Sequence, residues 1–491
     1  MTATHESLID RVRALVDRAR VAYDGQPTAE ATLDALRARL DEPLRVAIAG
    51  RVKSGKSTLL NALVGEPLAA TDAGECTSLV TWYRHGRTYK AFADTDAGNL
   101  EPVSIERTDH ALRVDLGGRS EESIKRLIVE WPASVLETMT LIDTPGLGSL
   151  SARLSARTET FVAPDEDISG ADAVVYLARH LHGNDVRLLE AFRDDDAGNP
   201  NPVNAVCVLA RADEVGGGRL DALDAAARVA ARYRSDAQVH RLCQTVVPVA
   251  GLLAQGSMAL REDEYRVLGR LAEAPDEVAE EILLSADRFG TRPASISITA
   301  EERVHLLALL GLFGVRTARD VLRRGEARSA PELAAVLTRR SGLVELRSLL
   351  ATQFSTRGHL LKARAGLLGL DRILRTAPPD DGGSLAGAVE EVESNAHELT
   401  ELRLLVALRS GGIELAEAEA AEVEHVVETS AQPARARMEL GAEASSADLH
   451  RVVAEAVERW RRRAEHPMSG PDLVAACQVM ERSYEGMLVE P

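Results

Sequence analysis

Eight consecutive residues, Gly50-Arg51-Val52-Lys53-Ser54-Gly55-Lys56-Ser57, carry the strongest chemical signal in the chain. They fit the pattern G-x-x-x-x-G-K-[ST], and each fixed residue type has a physical task. The two glycines let the backbone curl, so that loop amides and a helix N-terminus converge on an anion. Lys56 adds a cation against β- and γ-phosphate oxygens, and the Ser57 hydroxyl can ligate Mg2+. Gly50 to Ser57, with Thr58 behind them, form the expected nucleotide-binding stretch. Such a pattern also arises by chance in long chains. Here an apolar run, Val46 to Ala49, precedes it and a helical pattern, Ser57 to Leu63, follows, which is the order that the loop needs.

Three further positions choose between nucleotides. Asp143-Thr144-Pro145-Gly146 follows an apolar run, as a D-x-x-G element should. Asp143 is expected to hold Mg2+ through water, and the Gly146 amide to sense the γ-phosphate. Thr77, 20 residues beyond Ser57, is the expected second hydroxyl ligand of the metal, in a loop that orders around the γ-phosphate. Asp213, just past the run Val206 to Ala210, stands where a carboxylate can accept two guanine N–H donors that adenine lacks. The usual [NT]-K-x-D pattern is altered there to Ala210-Arg211-Ala212-Asp213. Ala210 cannot make the hydrogen bond of Asn or Thr, while Arg211 can lay its guanidinium over a base. Weaker guanine selectivity is expected, and a solvated loop aspartate is the plain alternative for Asp213. Ala250 and Gly251, after Val246 to Val249, are expected to run beside the base. An ordinary strand end accounts for them equally well.

The elements that must position these residues read as an α/β pattern from Leu44 to about Gly251. Val46 to Ala49, Met139 to Ile142, Ala173 to Leu177, Val206 to Ala210 and Val246 to Ala250 are strand candidates, separated by helical stretches and Gly-rich turns. That alternation implies a mainly parallel sheet flanked by helices. Leu79 to Tyr83, Thr88 to Ala93 and Leu127 to Trp131 look like added strands near one edge. Leu8, Val12, Leu15, Val16 and Ala19, then Leu33, Leu36 and Leu40, recur at helical spacing before the sheet begins. Those stripes need a partner, expected among the C-terminal helices. Residues 252–376 read as helices. The stretch Pro378-Pro379-Asp380-Asp381-Gly382-Gly383 is a linker, and helices follow at roughly 384–409, 413–428, 446–464 and 471–488.

Composition narrows the function classes. The net charge of −18 opposes nucleic-acid binding, so any polyanion or lipid contact needs a local patch. Cys76, Cys207, Cys243 and Cys477 are scattered thiols without a CxxC pair, which fits a reducing, cytoplasmic setting. Met1 to Ser7 has no signal-peptide core, and the apolar run Val304 to Val315 is shorter than the about 20 residues of a bilayer span. Membrane association would then be peripheral.

With its motifs in register, the chain resembles the bacterial dynamin-like GTPases, above all actinobacterial members. The likeness rests on Glu42 to Ala47, Lys56 to Gly65, Val80 to Gly86, Asp143 to Gly146, Arg211 to Glu214, Ser341-Gly342-Leu343 and Trp460 to Arg463. It implies GTP and GDP as ligands, GTP hydrolysis with Mg2+, homodimer or heteromer formation through the nucleotide face, and work at the inner face of the plasma membrane. The implied division is 1–40 for N-terminal helices on the stalk, 41–355 for the GTPase domain and 356–491 for a C-terminal helical bundle. No Gln follows Gly146, where Leu147 stands, and Val52 is apolar, so water positioning falls to backbone groups of Thr77 and Gly146. A low basal rate is expected. Lys53 sits where dynamins carry a residue that helps bind a monovalent ion, and is expected to supply that charge internally. A full dynamin stalk is longer than this chain offers, so a companion dynamin-like protein is expected.

Three surfaces compete as membrane contacts or core. The 384–409 stripe, with Glu391, His397, Leu399, Leu402, Leu405 and Val406, is better read as bundle core. Arg459-Trp460-Arg461-Arg462-Arg463 could meet anionic lipid or form an internal salt-bridged helix, the latter favoured. Leu306 to Phe313 is read as buried. Against the self-associating membrane GTPase stand three alternatives: a regulatory GTPase without membrane action, a nucleotide-gated partner with little hydrolysis, and an ATPase, for which Asp213 would be a coincidence.

Overall fold

The computed structural model describes residues 7–69, 79–95, 99–107, 112–145, 171–179, 204–236, 239, 242–293, 295–355, 357–379, 382–409, 411–430, 433–440 and 444–489. Short apolar runs form the sheet: β1 (Leu44–Gly50), β2 (Thr81–His85), β3 (Lys90–Thr95), β4 (Leu100–Arg107), β5 (Leu112–Asp115), β6 (Ile124–Trp131), β7 (Met139–Asp143), β8 (Ala173–Ala178), β9 (Ala205–Ala210) and β10 (Val246–Val249). Their order is β10-β9-β8-β1-β7-β2-β6-β3-β4-β5. Pairing is parallel from β10 through β7 and again between β2 and β6. It is antiparallel between β7 and β2 and across the β6-β3-β4-β5 wing. Strands β7, β8 and β9 are buried along their whole length, as parallel strands covered on both faces must be.

The wing is wider than the sequence pattern indicated. β4 and β5 had no strand signal because Pro102 interrupts one and charges alternate through both. β5 is the edge strand, and β4 pairs with it only from Ser104 to Arg107, so Pro102 has β3 alone as a neighbour and its missing amide is tolerated.

The two N-terminal stripes fold as α1 (Leu8–Ala22) and α2 (Pro27–Asp41). Both lie on the Gly358–Thr376 helix, and two glycines explain the close approach. A Cβ on Gly366 would meet Val12 Cγ1 at 2.8 Å, and one on Gly369 would meet Leu36 Cδ1 at 3.0 Å. Polar ties fix the assembly to the sheet. Arg39 pairs with Asp172 at 2.5 Å, both fully buried, and the second Asp172 oxygen accepts the Arg45 amide. One apolar core consequently runs from α1 and α2 through Val46 and Ile48 to Leu399 and Val406. The opposite sheet face has its own core under the Ala222–Arg234 helix.

The Leu306 to Phe313 run contributes Leu306, Leu310 and Phe313 to a third core. A fourth core joins the Ser446–Ala464 and Pro471–Val489 helices with Leu404, Leu405 and the Glu417–Glu428 helix. The expected single helix over 384–409 is two, Gly382–Ser394 and His397–Arg409. Ser394 and Asn395, both poor helix formers, mark the corner, and Ala396 is buried in it. No described helix is long and apolar enough to cross a membrane.

Candidate functional site

Strand β1 ends at Gly50, where φ is +151° and a Cβ would stand 2.5 Å from the Leu177 carbonyl oxygen. The chain must turn upward there. It passes through Arg51 to Gly55 and enters α3 (Lys56–Val64), with Gly55 as a left-handed N-cap. Lys56 is buried and its Nζ donates back to the carbonyls of Gly50 at 3.2 Å and Arg51 at 3.1 Å. Lys53 is exposed with a left-handed φ of +62°, and Val52 is half-buried. Ser54 is buried and its hydroxyl has no hydrogen-bond partner among the described residues.

Parallel pairing of β7 with β1 sets Asp143 beside Ile48. Asp143 is fully buried, yet among the described residues neither carboxylate oxygen has a hydrogen-bond partner. Burial pushes its carboxyl up to about 6, and the Lys56 cation and the Ser57 hydroxyl nearby act against that rise. Native structures rarely leave a buried carboxylate unsatisfied, so this group is poised for a partner from outside. An oxygen-rich corner with one such carboxylate and the Ser57 hydroxyl fits a hard divalent cation such as Mg2+. Thr144 does not share the role, because its hydroxyl donates to Ile48 O at 3.0 Å. Among the described residues, no three His, Cys, Asp or Glu side chains form a cluster that could hold a metal ion. Thr77, Gly146 and Leu147 lie outside the described residues.

The ends of β9 and β10 close the other side. Arg211, Asp213 and Gly251 line one cavity together with Gly55, Thr58 and Ala210. Burial raises the Asp213 carboxyl above its ordinary range, with Arg211 opposing. Arg211 is left-handed at φ +54°, and its Nη2 donates to Lys53 O at 3.1 Å. Two of the three non-glycine residues with positive φ in the described chain are thus joined directly. The Arg211 Nη1 donates to Glu214 Oε1 at 2.8 Å. Glu214 had no role in the sequence reading, although its adjacency to Asp213 was the available signal. The Ala250 amide donates to Ser341 O at 2.9 Å, and a Cβ on Gly251 would lie 3.6 Å from Thr58 Cγ2.

The arginines of the cluster far from this site are salt-bridged within the chain, although Arg459, Arg461 and Arg462 are exposed. Trp460 is buried and donates to Glu422 Oε1 at 2.9 Å, and Glu422 also pairs with Arg459. Arg461 pairs with Glu481, Arg462 with Glu458 at 3.6 Å and Arg463 with Glu419 at 3.0 Å.

The model of the dynamin family matches residues 46–182. Over 490 residues the chain is 39% identical to the isoniazid-induced protein IniC of Mycobacterium tuberculosis, covering 99% of each. A bacterial dynamin-like protein of Nostoc punctiforme is 29% identical over 120 residues, which is 22% of this chain and 17% of that protein. A solved structure of an oligomerised bacterial dynamin pair aligns with 99% of this chain and 75% of its own, at 12% identity and a TM-score of 0.35.

The buried Asp143 carboxyl yields a stability test. Its folded value of about 6 exceeds the ordinary 3.8. Ionising it therefore costs stability that is intact below about pH 4 and fully lost above about pH 6. Without nucleotide or Mg2+, Asp143→Asn should raise stability by about 3 kcal/mol at about pH 8 and change nothing at about pH 4. Urea denaturation at the two pH values checks this, and equal stability of both proteins throughout contradicts it.

Proposed function

The chain belongs to the dynamin family, among its bacterial members, and from that premise we propose that it binds GTP with Mg2+, hydrolyses it, and couples the cycle to association at the inner membrane surface. The observation that carries the reading is the fully buried carboxylate of Asp143 beside Lys56 and Ser57, without a hydrogen-bond partner among the described residues. Mg2+, when bound, would neutralise charge on the β- and γ-phosphates. Ser57 and Thr77 are assigned as its hydroxyl ligands and Asp143 as its ligand through water.

The remaining roles fall to the chain's own groups. Amides of Arg51 to Ser57 and Thr58 cradle phosphate oxygens, which compete with the Gly50 and Arg51 carbonyls for the Lys56 ammonium. Asp213 accepts two guanine N–H donors, Arg211 lies over the base, and Ala250 and Gly251 border it. Thr77 and Gly146 orient the attacking water through backbone groups, and Lys53 supplies a cation to the phosphates. Its exposed position at the rim supports that role, as does the left-handed turn that aims its carbonyl away toward Arg211.

We place the nucleotide domain at 41–355, with 1–40 and 356–491 as helical segments that move together. Association runs through the nucleotide face, as a homodimer or with a companion dynamin-like protein. The glutamates that already pair with Arg459, Arg461, Arg462 and Arg463 argue against lipid contact through that cluster. Membrane work then depends on assembly, with the chain cytoplasmic or peripheral.

Competition of GTP against ATP tests the base assignment. Wild type should prefer GTP by roughly a hundredfold, and Asp213→Ala should lose most of that preference while its ATP affinity stays unchanged. Equal affinity for the two nucleotides in wild type would favour the ATPase or partner alternatives. In steady-state turnover, Lys53→Ala should lower kcat by about tenfold with KM nearly constant. An unchanged kcat would make Lys53 a solvated loop residue.

A further inference from the structure

Helix α3 is held at both ends. Its N-terminus carries the Gly50–Ser57 loop, and its last turn presents carbonyls that no amide within α3 can reach. One guanidinium takes them. Arg347, on the Leu343–Leu349 helix, donates from Nη2 to Ala62 O at 2.7 Å and to Leu63 O at 3.2 Å, and it rests against Met258 Sδ at 3.6 Å. Arg347 is half-buried, and burial lowers its pKa. These carbonyls lie at the negative end of the α3 dipole, a favourable place for a cation.

The same short helix begins against the other wall of the site. Ser341 O receives the Ala250 amide, and the buried Ser341 hydroxyl donates to Thr338 O at 2.6 Å. Gly342 follows with φ at +81°, and a Cβ there would stand 2.2 Å from Pro248 O. The turn therefore presses directly on the end of β10. Downstream, the chain passes through a π-turn at Leu350–Ser355 into the Gly358–Thr376 helix. There Lys362 donates to Leu40 O and Glu42 O, each at 2.9 Å, at the junction of α2 and β1.

We propose that Arg347 is a positioning residue for the nucleotide: it sets the phosphate-binding helix from behind while Ser341 and Gly342 set the base loop. Affinity for guanine nucleotide then depends on a side chain that never touches the ligand. The mechanics are direct, since α3 has nine residues and is a rod only about 13 Å long. A shift at Ala62 and Leu63 is delivered to Lys56 and the loop amides with little loss. The inference rests on the nucleotide reading of the site given above. Linkage makes the effect reciprocal, so bound nucleotide steadies the segment leading into the Gly358–Thr376 helix.

The test is equilibrium titration of the full chain with a fluorescent methylanthraniloyl-GDP and Mg2+, paired with melting of the nucleotide-free proteins. Arg347→Ala should bind about tenfold more weakly and Arg347→Lys about threefold, because Lys keeps the charge but satisfies the two carbonyls less well. Glu345→Ala, exposed on the same helix, should match wild type. The Lys variant should melt within about 2 °C of wild type. Wild-type affinity in both Arg347 variants overturns the proposal, even if their melting temperatures fall, since Arg347 would then be structural alone. Should the Ala variant fail to fold, the Lys variant decides by the same criterion. Absence of binding by wild type itself would instead refute the nucleotide reading.

Discussion

The space above Gly50 is the constraint on which the site depends. Strands β1 and β8 run so close that a side chain there would collide with the Leu177 carbonyl. The backbone has to leave the sheet at once and curl before α3 can start. Parallel register then brings the carboxyl ends of β7, β9 and β10 around that curl, each delivering a functional residue from a buried strand. This is the geometry of open α/β sheets, whose ligands sit outside the carboxyl ends of the strands.

Around the curl, local rules of stability are broken in a consistent way. Lys53 and Arg211 both hold left-handed backbone, a strain of order 1–3 kcal/mol each, and one hydrogen bond links them. Asp143 and Ser54 are buried without hydrogen-bond partners among the described residues. The buried Arg39–Asp172 pair that ties α2 to β8 contrasts with this, since both Asp172 oxygens accept hydrogen bonds. An unsatisfied carboxylate, an unsatisfied hydroxyl and two left-handed residues thus lie at one end of the sheet, where a polyanion and a cation can satisfy them. Two helical contacts, at Ala250 and at the last turn of α3, connect that end to the segment that carries the helical bundle.

How much of this the sequence revealed follows from the range of the interactions. The loop from Gly50 to Ser57 is contiguous, and its chemistry depends on residue type and spacing, so it could be read directly. The strands that end at Asp143 and Ala210 were visible because continuous apolar runs mark buried parallel strands. Strands β4 and β5 were hidden because Pro102 and alternating charges mask the strand pattern at and beside the sheet edge. The break at Asn395 was hidden because a single apolar stripe spans both helices. Arg347 could not be found at all, since its partners are main-chain carbonyls 285 and 284 residues away, which leave no mark on residue type. The arginine run around Trp460 showed its charge but not its glutamates, which lie on other turns and helices.

The account stands or falls on the curled loop receiving phosphate through Lys56. Titration calorimetry of GDP in the presence of Mg2+, on wild type and on Lys56→Ala, asks this directly. The account predicts measurable binding by wild type and a loss of at least about a hundredfold in the variant, because a charge-assisted contact to phosphate would vanish. Equal affinity in the two proteins would contradict it.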